Sequence, residues 1–140
     1  MNIRYTDNKC FTQLQVQDLF RSVDWISADY PQRLMKALNQ CETVFTAWDD
    51  EKLVGLINAI DDGELTAYVH YLCVRPEYQK QGIGKELLSL IKDKYKDYLY
   101  LILIAENRSV VNFYEKCDFQ KADGTSVMEI INQERGFYEA

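Results

Sequence analysis

Hydrophobic and polar positions follow one rhythm in the first half of the chain and another in the second. Ile3–Thr6 has the look of a short strand, and Val16, Leu19, Phe20 and Val23 then recur at i, i+3, i+4, i+7, which is one face of a helix. Pro31 suits the first turn of a second helix, striped by Leu34, Met35, Leu38 and Cys41. Apolar runs at 43–48 and 53–60 flank the polar stretch Asp49-Asp50-Glu51-Lys52 and predict an antiparallel hairpin. Asp61-Asp62-Gly63 is the next turn, and residues 65–74 form the third strand of this meander.

After Pro76 the pattern changes. Leu87, Leu88, Ile91 and Tyr95 repeat at helical spacing within residues 84–95, and residues 98–105 are nearly all apolar, as in a strand buried on both faces. Strand, helix and buried strand make a crossover unit, so the two strands should be parallel. A further helix carries Val110, Phe113, Tyr114 and Cys117 on one side, and a closing hairpin is expected from 119–121 and 127–131 around Asp123-Gly124. With no internal repeat and no linker, residues 1–140 read as one domain, a mixed α/β sheet flanked by helices.

Composition narrows the function. Sixteen Lys and Arg against 22 Asp and Glu leave a net charge of -6, which argues against nonspecific nucleic-acid binding. No apolar run approaches the roughly 20 residues of a membrane span, and the N-terminus lacks a secretory profile, so a cytoplasmic protein is expected. Cys10, Cys41, Cys73 and Cys117 are widely spaced with no C-x-x-C pair, so reduced, buried thiols are expected and no metal site.

The chemistry concentrates in Val74-Arg75-Pro76-Glu77-Tyr78-Gln79-Lys80-Gln81-Gly82-Ile83-Gly84-Lys85. This loop joins a strand's carboxyl end to a helix's amino end, where unpaired N–H groups and the helix dipole favour an anion. Gly82 and Gly84 let a pyrophosphate approach the backbone, and Lys80 and Lys85 add positive charge; a glycine-containing turn that binds nothing is the bland alternative. The P-loop pattern fails because only one residue separates the glycines and Glu86 follows Lys85. The dinucleotide fingerprint fails at Leu87, where a third Gly or Ala is required.

Gln79-Lys80-Gln81-Gly82-Ile83-Gly84 instead resembles the [QR]-x-x-G-x-[GA] acetyl-CoA signature of the GNAT N-acetyltransferases, preceded by their V-x-P step at Val74-Arg75-Pro76. Asn107, Phe113-Tyr114 and Phe119 resemble the family's N-x-x-[AS]-x-x-[FL]-Y-x-K-x-G-F segment. Asp118 stands where the family usually has a glycine in a left-handed conformation, which Asp tolerates better than most residues.

The resemblance implies a mostly antiparallel sheet with one parallel pair splayed to hold acetyl-CoA, about four flanking helices, and an enzyme that acetylates a primary amine of a small molecule, peptide or protein. It implies that the backbone of Leu72, Cys73 and Val74 pairs with the pantetheine arm. It also implies that amides from Gln79, Lys80, Gln81, Gly82, Ile83, Gly84 and Lys85 hold the pyrophosphate, and that Asn107 bonds the arm. Arg75 and Arg108 are candidates for the 3′-phosphate, with surface solvation as the alternative. An alkylammonium is neutral only about once in 2,500 at pH 7, so a base is worth seeking. His70, the only histidine, is the candidate, with Glu64, Asp61 and Asp62 as alternatives and simple packing as its bland reading. Tyr114 matches the family's general acid toward the CoA thiolate, although its place on the apolar helical face also suits core packing. Backbone N–H near Cys73, where the family strand bulges, would meet the oxyanion. Trp25, Tyr30, Tyr68 and Tyr71 are candidates for an aromatic acceptor pocket. A noncatalytic acyl-CoA sensor and an enzyme for longer acyl donors remain rival readings, and homodimerisation, common in the family, is not fixed by the sequence.

Overall fold

The computed structural model describes residues 2–132. Strand β1 (Ile3–Thr6) leads to helix α1 (Gln13–Ser22), a 3-10 turn (Ile26–Asp29) and helix α2 (Pro31–Gln40). The meander β2 (Thr43–Asp49), β3 (Lys52–Asp61) and β4 (Thr66–Val74) follows, then a 3-10 turn (Pro76–Tyr78), α3 (Ile83–Lys94), β5 (Tyr100–Leu103) and α4 (Arg108–Lys116). The strands lie in the order β1-β2-β3-β4-β5, antiparallel except for the parallel β4–β5 pair. No helix among the described residues is long and apolar enough to cross a membrane.

Local chemistry starts and stops these elements. Thr12 accepts from the Gln15 amide at 3.2 Å while Gln15 Oε1 accepts from the Thr12 amide at 2.8 Å, a reciprocal cap that satisfies two orphan donors of α1. The α1 and α2 stripes bury Val16, Leu19, Phe20, Leu34 and Leu38 against Leu53, Leu56 and Cys73 on one sheet face. Burying each large side chain fully contributes about 1.5–3 kcal/mol. On the other face Ile83, Leu87, Leu88 and Ile91 of α3 meet Val54, Ile57, Ala67 and Val69. Gly55 sets that contact: a Cβ there would come within 3.1 Å of Leu87 and 3.2 Å of Ile83.

Two expectations fail in the second half. Residues 98–105 are not buried on both faces: the strand spans only Tyr100–Leu103, and Tyr100, Ile102 and Ile104 are 54%, 47% and 43% exposed. The cause is position, since β5 is the sheet edge, with Leu101 and Leu103 turned onto the α3 core and no α1 or α2 cover on its other side. The closing hairpin is also absent. The turn at Asp123-Gly124 forms, but no strand occurs in residues 119–132, and Val127 and Met128 are 63% and 90% exposed. Phe119 is committed instead to the core beside Tyr114, donating its amide to the Tyr114 carbonyl at 3.1 Å, which leaves a first arm too short to pair. All four cysteines are free thiols, but only Cys73 and Cys117 are buried, and Cys10 is exposed. Asp118 does take the left-handed conformation, with φ +76°, and its carboxylate accepts from Lys92 at 2.8 Å, which lowers its pKa.

Candidate active site

The site is set by what happens to β4 halfway along. Its parallel ladder with β5 ends at the Val69–Leu103 pair, although β4 continues to Val74. At the same place its register with β3 slips: Tyr71 opposes Asn58 and Val69 opposes Ala59, leaving His70 as an extra, bulged residue. The bulge expected near Cys73 centres on His70. Asn58, 2% exposed in an otherwise apolar run, holds it open by accepting the Tyr71 amide on Oδ1 at 2.9 Å. That buried Asn shapes the candidate site and was not singled out from the sequence; its signal is a lone polar residue inside residues 53–60.

Because of the bulge, His70 and Tyr71 share one face. The rings stack as a ladder, with Tyr68–His70 centroids 5.6 Å apart and His70–Tyr71 centroids 3.9 Å apart at 22°. Trp25 continues it at 5.5 Å from Tyr71, whose hydroxyl hydrogen-bonds Ser27 at 2.7 Å. His70 is exposed over part of its surface, and desolvation against the stack lowers its pKa from the usual 6.5, which favours the neutral imidazole at pH 7. His70 and Tyr71 also line a cleft of about 720 Å³ that runs beside the end of α2. Two of the three rival bases, Asp61 and Asp62, are committed to the β3–β4 turn. Asp62 accepts three backbone amides at 2.8–3.1 Å, which lowers its pKa. Asp61 accepts from the Gly63 amide at 2.9 Å and the Tyr95 hydroxyl at 2.7 Å.

On the opposite face a hollow of about 430 Å³ opens where β5 no longer covers β4. Leu72, Val74, Gly82, Gly84 and Tyr114 line it, and Gln79, Lys80 and Lys85 stand at its rim beside Ser109, Val110 and Phe113. Gly82 is the N-cap of α3 at φ +87° with no heavy atom within 4 Å of where its Cβ would be, so the bend needs glycine and leaves open space. The first α3 amides, from Ile83, Gly84 and Lys85, have no intrahelical acceptor. Lys80 also takes a positive φ, +63°, and Gln79 ties the turn back by donating to the Val74 carbonyl at 2.9 Å. Tyr114 is 9% exposed, packed edge-on against Phe113 and Phe119, and burial pushes its phenol up to about 12, with Glu106 adding to the shift.

Not every expected residue reaches this hollow with its side chain. Cys73 turns into the other core, its thiol pointing to the Leu19 carbonyl at 3.8 Å and pushed up to about 12 by burial. Ile83 is in the α3 core, and Gln81 donates to the Glu77 carbonyl at 3.3 Å. Asn107 caps α4, its Oδ1 accepting from the Val110 amide at 3.0 Å and the Ser109 hydroxyl at 2.7 Å. Arg75 is not solvated at the surface but buried away from this hollow: it is 7% exposed, with Nε donating to the Leu53 carbonyl and a terminal nitrogen to Asp18, both at 2.7 Å.

The model of the acetyltransferase (GNAT) family matches residues 8–119. The chain belongs to that family. An uncharacterized N-acetyltransferase of Bacillus methanolicus is 28% identical to this GNAT chain over 92 residues, 62% of the chain and 73% of the relative. One from Pyropia yezoensis is 27% identical over 134 residues, 91% of the chain and 76% of the relative. Among solved structures, a GNAT family acetyltransferase of Streptococcus pneumoniae aligns with a TM-score of 0.80 at 27% identity, over 94% of this chain and 98% of that one. GNAT enzymes use acetyl-CoA and an amine acceptor. The open β4 edge, the left-handed Gly82 and the free α3 amides fit a pantetheine arm and a diphosphate.

Proposed function

We propose that this single-domain GNAT chain acetylates a primary amine by direct transfer in a ternary complex. The observation that carries the reading is the coincidence, at His70, of the β4 bulge with the end of the β4–β5 ladder. That coincidence opens one sheet face to a diphosphate-type hollow and sets a neutral imidazole on the other. Acetyl-CoA, when bound, supplies an activated acyl group and a thiolate leaving group.

His70 accepts the proton that the attacking amine must lose, directly or through water. Leu72, Cys73 and Val74 offer backbone groups along the uncovered edge of β4 to the pantetheine arm, and the amides of residues 79–85 hold the diphosphate. Tyr114 donates a hydrogen bond to the departing sulfur. Burial raises its phenol to about 12, so it stays protonated at neutral pH and is available as a donor there. The raised pKa of Cys73 and its orientation away from the hollow favour direct transfer over an acyl-cysteine intermediate.

The test is to incubate the protein with acetyl-CoA and a panel of polyamines, aralkylamines, amino acids and lysine peptides while following free CoA. Amine-dependent release is the expected result. Saturable acetyl-CoA binding with no turnover on any amine would make the chain a sensor instead. Comparing acetyl-, propionyl- and succinyl-CoA fixes the donor.

A further inference from the structure

Arg75 is the one charged residue among the described residues that is buried, and burial of a guanidinium is costly unless each donor is satisfied. Here the side chain bridges two elements: Nε holds the Leu53 carbonyl of β3 and a terminal nitrogen holds Asp18 of α1. Its backbone does as much. The Arg75 amide donates to the Val54 carbonyl at 2.9 Å, and its carbonyl accepts from the Tyr78 amide at 2.9 Å, closing the 3-10 turn. Tyr78 then donates its hydroxyl to Asp49 Oδ2 at 2.5 Å, fastening the turn to the β2–β3 hairpin. Gln79 and the positive-φ Lys80 follow, and Gly82, whose left-handed conformation needs glycine, leads into the α3 amides. The guanidinium reaches solvent beside Asp18 and Lys52, in a hollow separate from the one lined by Gly82 and Tyr114.

We propose that Arg75 is a positioning residue for diphosphate binding: it clamps the root of the turn to α1 and β3, so that residues 79–85 present their amides in a fixed arrangement without Arg75 touching the nucleotide. The inference rests on the diphosphate role proposed for that turn. A clamp at the root limits the freedom of the turn more than that of the β4 edge, which the sheet already holds, so its loss should be felt by the diphosphate and not by the pantetheine arm.

The experiment compares Arg75→Met, Arg75→Lys and Tyr78→Phe with the parent protein for binding of CoA, dephospho-CoA and pantetheine, with thermal melts alongside. Arg75→Met should weaken CoA and dephospho-CoA alike by about tenfold, about 1.4 kcal/mol, and change pantetheine binding less than about twofold. Arg75→Lys should recover part of the loss. Tyr78→Phe, which frees the turn without emptying the core, should show the same pattern at smaller size and serves if Arg75→Met does not fold. A loss confined to CoA would mean that Arg75 meets the 3′-phosphate. An equal loss for all three ligands, or none, would leave Arg75 a purely structural ion pair; each of these overturns the proposal. A parent protein that binds pantetheine as tightly as CoA overturns the diphosphate role itself, whatever the variants do.

Discussion

The two faces of the splayed strand pair are built from different materials. What the hollow around Gly82 and Gly84 offers a diphosphate is main chain: an uncovered strand edge, two positive-φ residues and the open end of α3. The face that carries His70 is made of side chains, a run of rings from Tyr68 to Trp25 whose spacing depends on a bulge held by Asn58. A main-chain site depends little on which side chains surround it but fails when its backbone is bent or blocked. A ring-built site is the reverse, open to change in what it accepts and sensitive to each side chain that does chemistry.

The sharpest way to break the contrast is to remove the imidazole. His70→Gln should lower kcat by about a hundredfold with little effect on acetyl-CoA affinity, since general bases contribute on that order or more. The pH dependence carries the sign. Desolvation lowers the His70 pKa from its usual 6.5, so the active neutral form predominates at pH 7 and the rate should fall as pH drops through a value below 6.5. His70→Gln should lose that acid limb; a variant that keeps it would pass the base role to another group. Tyr114→Phe should come next, slowing kcat on the order of tenfold or more while CoA binding holds, as expected of a donor used only at the departing sulfur. An unchanged rate would reduce Tyr114 to packing.

On the main-chain face the effect belongs to binding. Gly82→Glu should weaken CoA by at least about tenfold, about 1.4 kcal/mol. At φ +87° any side chain is strained, so Gly82→Ala is the reference, and the Glu variant must be worse than Ala by the added carboxylate. Equal affinities for the two would place the diphosphate elsewhere.

The same division explains what could be read from the amino-acid order. The turn was legible because its requirements are local: glycine at a left-handed cap, lysines nearby, and a strand before and a helix after. The meander and the four helices were legible for the same reason, each following from periodicity and a cap or a proline. The bulge at His70 was not, because it arises from a register slip against β3, and its support, Asn58, is close only in space. The burial of Arg75 was not legible either, because its partners Leu53 and Asp18 are 22 and 57 residues away in the chain. The exposed side of β5 and the unpaired residues 119–132 failed for want of a neighbour, which apolar runs alone do not reveal.

Asn107 sits on the border between the two kinds of site and gives the smallest effects. Its Oδ1 is occupied as the cap of α4, taking the Val110 amide and the Ser109 hydroxyl. Only its amide nitrogen can serve the pantetheine arm. Asn107→Ala should lose about 1 kcal/mol of stability with the cap. Asn107→Asp keeps the acceptor, suits the positive end of the helix dipole, and should melt at or above the temperature of the parent. It lacks the N–H donor, however, and should weaken acetyl-CoA by about two- to tenfold, the worth of one hydrogen bond. A stable Asp variant with full affinity would make Asn107 a cap and nothing more, and would leave the uncovered backbone of β4 to hold the arm unaided.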